Sequence, residues 1–255
     1  MENTLLVGLS RQAALERQFD VVANNIANLN TTGFKSSSSV FQEFLTSGAH
    51  EDNFGAADAR VRFVLDRASF RNFGQGPIQQ TGNPLDIALD GDAFIAVQTA
   101  GGERYTRNGA LQINAAGELV TADGATVAGD NGPIVFQAND RNISISADGR
   151  VSALEGATGS VETLRGKLKL VSFADPQRLQ GEGANLFTAP AGVTPQPAAN
   201  VRVIQGVIEG SNVNGVVEMS RMIEINRTYS LIASLLQSQG DQRRTSIDKL
   251  AEVPS

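Results

Sequence analysis

The stretch GLSRQAALERQFDVVANNIANL, Gly8 to Leu29, sets Gly8, Gln12, Leu15, Phe19, Val22, Ile26 and Leu29 at alternating steps of four and three. That is the heptad seam of a coiled coil, and it predicts a helix over residues 4–29. Asn30, Thr31 and Thr32 are poor helix formers, and Gly33 can take the left-handed cap conformation that ends it. The other end of the chain repeats the design. Met222, Ile225, Tyr229, Ile232 and Leu236 step three, four, three, four, behind an N-cap at Asn214 and with Glu218 in the first turn. Val216, Met219, Ile223, Leu231 and Leu235 widen this second stripe beyond what one neighbour covers. The expectation is that the two terminal helices pair with each other as a coiled coil and turn the leftover apolar width toward other molecules.

Between the helices the pattern changes. Asn108-Gly109, Asp123-Gly124 and Asp148-Gly149 are hairpin-turn dipeptides, flanked by short runs such as Phe94-Ile95-Ala96-Val97 and Ile143-Ser144-Ile145. Turns at that density predict an antiparallel meander, sandwich or barrel. The segments TADGATV and SADGRV read as one turn chemistry used twice. Pro190, Pro195 and Pro197 mark a stiff loop before a last strand around Val201–Ile208. Residues 36–60, opening on four serines, read as a flexible connection. The expected fold is therefore mixed α and β, a central antiparallel all-β domain between paired terminal helices. Its parts are 1–35 (helix and following motif), 36–74 (extended connection), 75–208 (β domain) and 209–255 (second helix).

Composition removes most chemistry. The 255 residues include no Cys and one His, so thiolate sites, cysteine nucleophiles and two-imidazole sites are excluded. His50 sits in the loop Gly48–Asp52 with only local carboxylates beside it and reads as a solvated residue. Asp86 and Asp90 would stand about 13 Å apart on a strand, too far for a glycosidase pair. Gly74-Gln75-Gly76 and Gly181-Glu182-Gly183 lack the third glycine of a dinucleotide site, and Gly166-Lys167 lacks the upstream glycine of a P-loop. No catalytic, cofactor or metal constellation survives, and no small-molecule substrate is implied.

Charge is uneven along the chain. Residues 1–35 balance Arg11, Arg17 and Lys35 against Glu2, Glu16 and Asp20, and residues 216–255 also sum to zero. The net −6 therefore lies between residues 36 and 215, which argues against a nucleic-acid partner. The opening Leu5-Leu6-Val7 is too short for a secretory segment, and no run suits a membrane span, so ordinary rules predict a cytoplasmic chain.

One segment is left without an ordinary reading. ANNIANLNTTGFK, Ala23 to Lys35, holds Asn24, Asn25, Asn28 and Asn30, although asparagine costs helix propensity. Amides there can fix register by bonding to neighbouring backbone. This segment resembles the signature of the bacterial flagellar rod and hook proteins. EGSNVNGVVEMSRMIEINRTY, Glu209 to Tyr229, is similar to that family's C-terminal motif. TGNPLDIALDGDAFIAVQ and GERYTRNGALQINAAGELVTADG resemble its β region. Ala93 and Ile95 stand where the family usually has Gly and a second aromatic. The length resembles that of a rod protein, and MENTLLVGLSRQ and QGPIQQTGNPLD look most like the proximal-rod branch, with the distal-rod branch the near alternative.

The resemblance implies a non-enzymatic subunit of the periplasm-crossing rod, carrying torque from motor to hook. Its implied partners are further copies of itself, neighbouring rod proteins and the flagellar type III export apparatus. Export without a cleaved signal then replaces the cytoplasmic expectation. Membrane insertion is not implied. Family residues carry over as Asn24, Asn25, Asn28, Asn30, Thr32, Gly33 and Phe34, and as Ser211, Asn212, Val213, Asn214, Glu218 and Met219. A soluble β-domain binding protein dimerised by its helices, or a carbohydrate-active enzyme, are the readings from other classes.

Overall fold

The computed structural model describes residues 2–46, 61–156 and 161–251. The chain falls into two compact units, one of Met1–Ala27, Ser37–Arg71 and Asn214–Ser255, the other of Asn28–Ser36 and Asn72–Val213. The predicted parts are thus redistributed: the motif 28–36 belongs with the β strands, and residues 37–71 belong with the helices.

The helical unit holds α1 (Glu2–Ala27), β1 (Ser37–Thr46), β2 (Val61–Arg71) and α2 (Gly215–Ala251). α1 stops two residues before the predicted Leu29, where the Thr31 amide turns back to the Asn28 carbonyl at 3.2 Å. α2 starts as expected. Asn214 Oδ1 accepts from the Val217 amide at 3.3 Å, and its carbonyl accepts from the Glu218 amide at 3.0 Å. Of the stretch 36–60 read as a flexible connection, Ser37–Thr46 is instead a strand, β1, paired antiparallel with β2 and with a bulge between Val40 and Phe41. Val40, Phe41, Phe44 and Leu45 on one strand, and Val61, Phe63, Val64 and Leu65 on the other, are residues that favour strands. Residues 47–60, including His50, lie outside the described residues.

The β-rich unit begins with β3 (Ile78–Gln80), β4 (Ile87–Asp90), β5 (Phe94–Thr99), β6 (Gly102–Thr106), β7 (Leu111–Ile113), β8 (Leu119–Thr121) and β9 (Thr126–Gly129). It continues through β10 (Gly132–Pro133), β11 (Asp140–Ile145), β12 (Arg150–Glu155), β13 (Val161–Lys167) and β14 (Leu170–Ser172). A short 3-10 turn at Pro176–Arg178 precedes β15 (Gln180–Gly181), β16 (Leu186–Thr188), β17 (Gln196–Pro197), β18 (Arg202–Gln205) and β19 (Val207–Glu209). The largest sheet runs β15-β16-β6-β5-β9-β8-β7, with β14 also on β5. Beside it are a β11-β12-β13 meander and the ribbons β18-β4 and β19-β3, and every described ladder is antiparallel.

Strand patterns follow the sequence. The unbroken apolar runs Ile87-Ala88-Leu89 and Phe94–Val97 are buried on both faces, whereas in β12 Val151 and Ala153 go in and Ser152 does not. Ala93 and Ile95, the departures from the family pattern, are both fully buried. An aromatic cluster gathers Phe94, Tyr105, Phe173 and Phe187 edge to face, with Phe73 against it.

The two ADG turns are alike in detail. In each, the glycine amide donates to the carbonyl three residues back, Gly124 to Thr121 and Gly149 to Ser146, both at 2.9 Å. In each, the hydroxyl of that same residue accepts the amide of the residue after the glycine, at 3.1 Å. Asn108-Gly109, in contrast, joins β6 and β7, which do not pair, and so is not a hairpin turn. Gly109 is required there for another reason: a Cβ would collide with the Ile87 carbonyl, to whose own amide Gly109 offers its oxygen.

Tyr105 supplies a pH test of this core. Burial, reinforced by Glu103, pushes its phenol from 10.0 up to about 12. Between those values an unfolded chain has released a proton that the folded one still holds. The stability Tyr105 contributes is therefore present below pH 10 and lost as pH rises through about 12. In a Tyr229→Phe variant, which leaves Tyr105 as the one tyrosine, tyrosinate absorbance is expected to appear near pH 12 in the folded protein. Titration near pH 10 would contradict this burial.

Candidate functional site

The helix seam comes together as a small cluster. Leu15, Val22 and Ile225 are buried, with Ile26, Met222, Tyr229 and Ile232 packed against them. Gln12 donates to the Tyr229 hydroxyl at 2.6 Å, and Gly8 lies against the Leu236 side chain. Residues 8, 12 and 25 of α1 meet 236, 229 and 218 of α2, so the helices run antiparallel. Phe19, counted as a seam residue, is 37% exposed. At about 100° per residue it stands roughly 60° round the helix from Val22 and about 120° from Asn25, and the buried flank of α1 is the one that carries Asn25. The expected surplus of apolar width is present. On α2, Val216 is 76% exposed, Leu231 69%, and Met219 and Ile223 55% each, with Leu235 and Val217 open as well.

Of the four asparagines in the N-terminal motif, Asn25 is buried. Its amide grips the start of β1 at two points, accepting from the Ser37 amide at 2.9 Å and donating to the Ser37 carbonyl at 2.8 Å. Its Nδ2 also donates to Glu218 Oε2 at 3.2 Å, and Arg221 donates to Glu218 Oε1 at 2.7 Å. One amide thus binds α1 to β1 and to α2. Asn24 and Asn30 are exposed, Asn28 accepts from the Thr31 hydroxyl, and Leu29 is half-buried beyond the helix end.

In the β-rich unit, the other motif residues surround an ion cluster that sequence reasoning missed. Lys35 and Glu209 have fully buried side chains and meet at 2.6 Å. Lys35 also donates to the Gly74 carbonyl at 2.8 Å, and Glu209 accepts from the Gly76 amide at 2.8 Å. Arg107 Nε is 3.2 Å from the second Glu209 oxygen, while its Nη1 donates to the Gly91 and Ala93 carbonyls at 2.6 Å each. Burial pulls the Lys35 ammonium below its usual range despite Glu209. Removing either partner of such a pair leaves the other as an uncompensated buried charge.

Around it the two motifs interlock. The Gly33 amide donates to the Glu209 carbonyl at 2.7 Å, and Asn185 donates to the Thr32 carbonyl at 3.0 Å. Asn212 Oδ1 accepts from the Ser36 amide at 2.7 Å, while its Nδ2 donates to the Asn72 and Gly74 carbonyls at 2.7 and 2.9 Å. The Asn212 amide reaches the Phe34 carbonyl at 3.4 Å, and buried Ser211 accepts from the Val213 amide. Gly33 has a φ of +69°, and a Cβ there would fall 2.5 Å from the Asn108 amide nitrogen. The signal that could have found the cluster was present: Lys35 closes one motif and Glu209 opens the other.

The site is thus a pair of interlocked motif loops and, on α2, an apolar helical face left open. Family profiles match in the same order as the motifs. Residues 5–35 match "Flagella basal body rod protein", residues 88–153 the "Flagellar hook protein FlgE/F/G D1 domain", and residues 204–249 the "Flagellar basal body rod FlgEFG protein C-terminal". The flagellar basal-body rod protein FlgF of Caulobacter vibrioides is 37% identical, across 99% of this chain and 100% of its own. FlgF of Escherichia coli is 32% identical over 94% and 95% of the two chains, and FlgG of Bacillus subtilis 30% over 94% and 96%. The chain belongs to the flagellar basal-body rod protein family, whose members are structural proteins and not enzymes. Among the described residues no helix is long and apolar enough to cross a membrane.

Proposed function

We propose that this chain is an axial subunit of the flagellar rod, of the FlgF type, set in its proximal part and crossing the periplasm. α1 and α2 act as a coiled-coil pair in an inner layer, and the open face of α2 receives further copies of the chain or neighbouring rod proteins. Torque passes because apolar seams and amide bonds between successive subunits must break together before the rod twists. The subunit reaches the rod through the type III export apparatus without losing a signal peptide. The observation that carries this reading is the exposed run Val216, Met219, Ile223, Leu231 and Leu235 on a helix whose opposite face is already packed. The proximal assignment is supported by the FlgF relatives, at 37% identity in one case. Imaging basal bodies from cells lacking this protein tests it: the axis is expected to end before the distal rod. An axis complete except for its outermost segment would assign the chain to the distal rod instead.

A further inference from the structure

We propose that Lys35, Glu209 and Arg107 form a closure latch, through which the β-rich unit locks only when segments 28–36 and 209–213 are both seated. This goes beyond the assembly reading and does not depend on it. The observation is reciprocal dependence. Lys35 is fully buried and its counter-charge arrives from 174 residues away; Glu209, equally buried, finds its cations at Lys35 and Arg107. Remove the first segment, and Glu209 keeps Arg107 but loses its closest cation and the Gly33 bond to its carbonyl. Remove the second, and Lys35 loses its nearest counter-charge and keeps the Gly74 carbonyl, with Asp92 as the remaining carboxylate that favours its charge. Both segments also rest on residues 72–76, the first through Lys35 on the Gly74 carbonyl and the Asn72 amide on the Ser36 carbonyl, the second through Asn212 on Asn72 and Gly74 and Glu209 on Gly76. Opening the second segment therefore strands the Lys35 charge, and opening the first takes from Glu209 the nearer of its two cations; a buried charge that loses its partner is strongly unfavourable. The two segments should open as one unit, not fray separately.

Hydrogen exchange on the full-length chain tests this across the latch. Glu209→Gln keeps an acceptor for Gly76 but strands Lys35, and is expected to speed exchange of the Gly33 and Ser36 amides about a hundredfold relative to β5. Lys35→Met is expected to speed the Gly210 amide, which bonds to the Pro77 carbonyl and touches neither charge. Combining the two substitutions neutralises the pair and should slow exchange at least tenfold from the Glu209→Gln rate. Acceleration confined to the substituted segment, or a double variant as fast as the single one, would overturn the latch. If the single variants do not fold, the wild-type chain in low urea decides. Equal opening rates at Gly33 and Gly210 support the proposal, and rates differing tenfold or more refute it.

Discussion

Replacing Glu209 by Ala is expected to destabilise the β-rich unit by about 3–5 kcal/mol, the usual cost of removing one partner from a buried ion pair. The substitution removes a side chain with no solvent exposure and leaves two cations behind. Arg107 keeps its two carbonyl acceptors, so Lys35 carries most of the penalty. The Gly76 amide loses its acceptor as well. A residue at the end of a three-residue strand would ordinarily be a mild site. Urea unfolding followed by near-ultraviolet dichroism, which reports the aromatic cluster, checks the figure; a midpoint close to wild type would show that water reaches the cluster.

Ile225→Asp is the second large effect, and it falls on the helical unit. Ile225 is buried with Leu15 and Val22 at the centre of the seam. The change forfeits about 2–3 kcal/mol of apolar burial and adds a carboxylate that must stay protonated or draw water in. Single amphipathic helices are marginal in water, so α1 and α2 should lose helicity together. Far-ultraviolet dichroism should show that loss while the aromatic signal of the β-rich unit persists. Retained helicity would mean that the β1–β2 ribbon, not the seam, holds α1.

What could be read from the sequence, and what could not, follows from the range of the forces involved. Caps and ADG turns are local, and Asn214, Gly124 and Gly149 stand as expected, while of the heptad seam Leu15, Val22 and Ile225 are buried and Phe19 is open. The β1–β2 ribbon escaped because Val40-Phe41 and Phe44-Leu45 come in pairs around a bulge, which breaks strict alternation. Asn108-Gly109 has the letters of a hairpin turn, but its glycine answers to a backbone contact with Ile87, about twenty residues upstream. Lys35 and Glu209 look like surface charges until a fold sets them side by side. In the asparagine-rich motif, Asn25 makes the buried contacts, which its letters alone do not single out from Asn24, Asn28 and Asn30.

The proposed role of the open face of α2 is contact with other subunits, not this chain's own stability. Ile223→Lys combined with Leu231→Lys addresses it directly, because both side chains are more than half exposed. Introduced into motile cells, the double variant should melt like wild type when purified yet be missing from isolated basal bodies. Rods of normal length containing the variant would contradict the account.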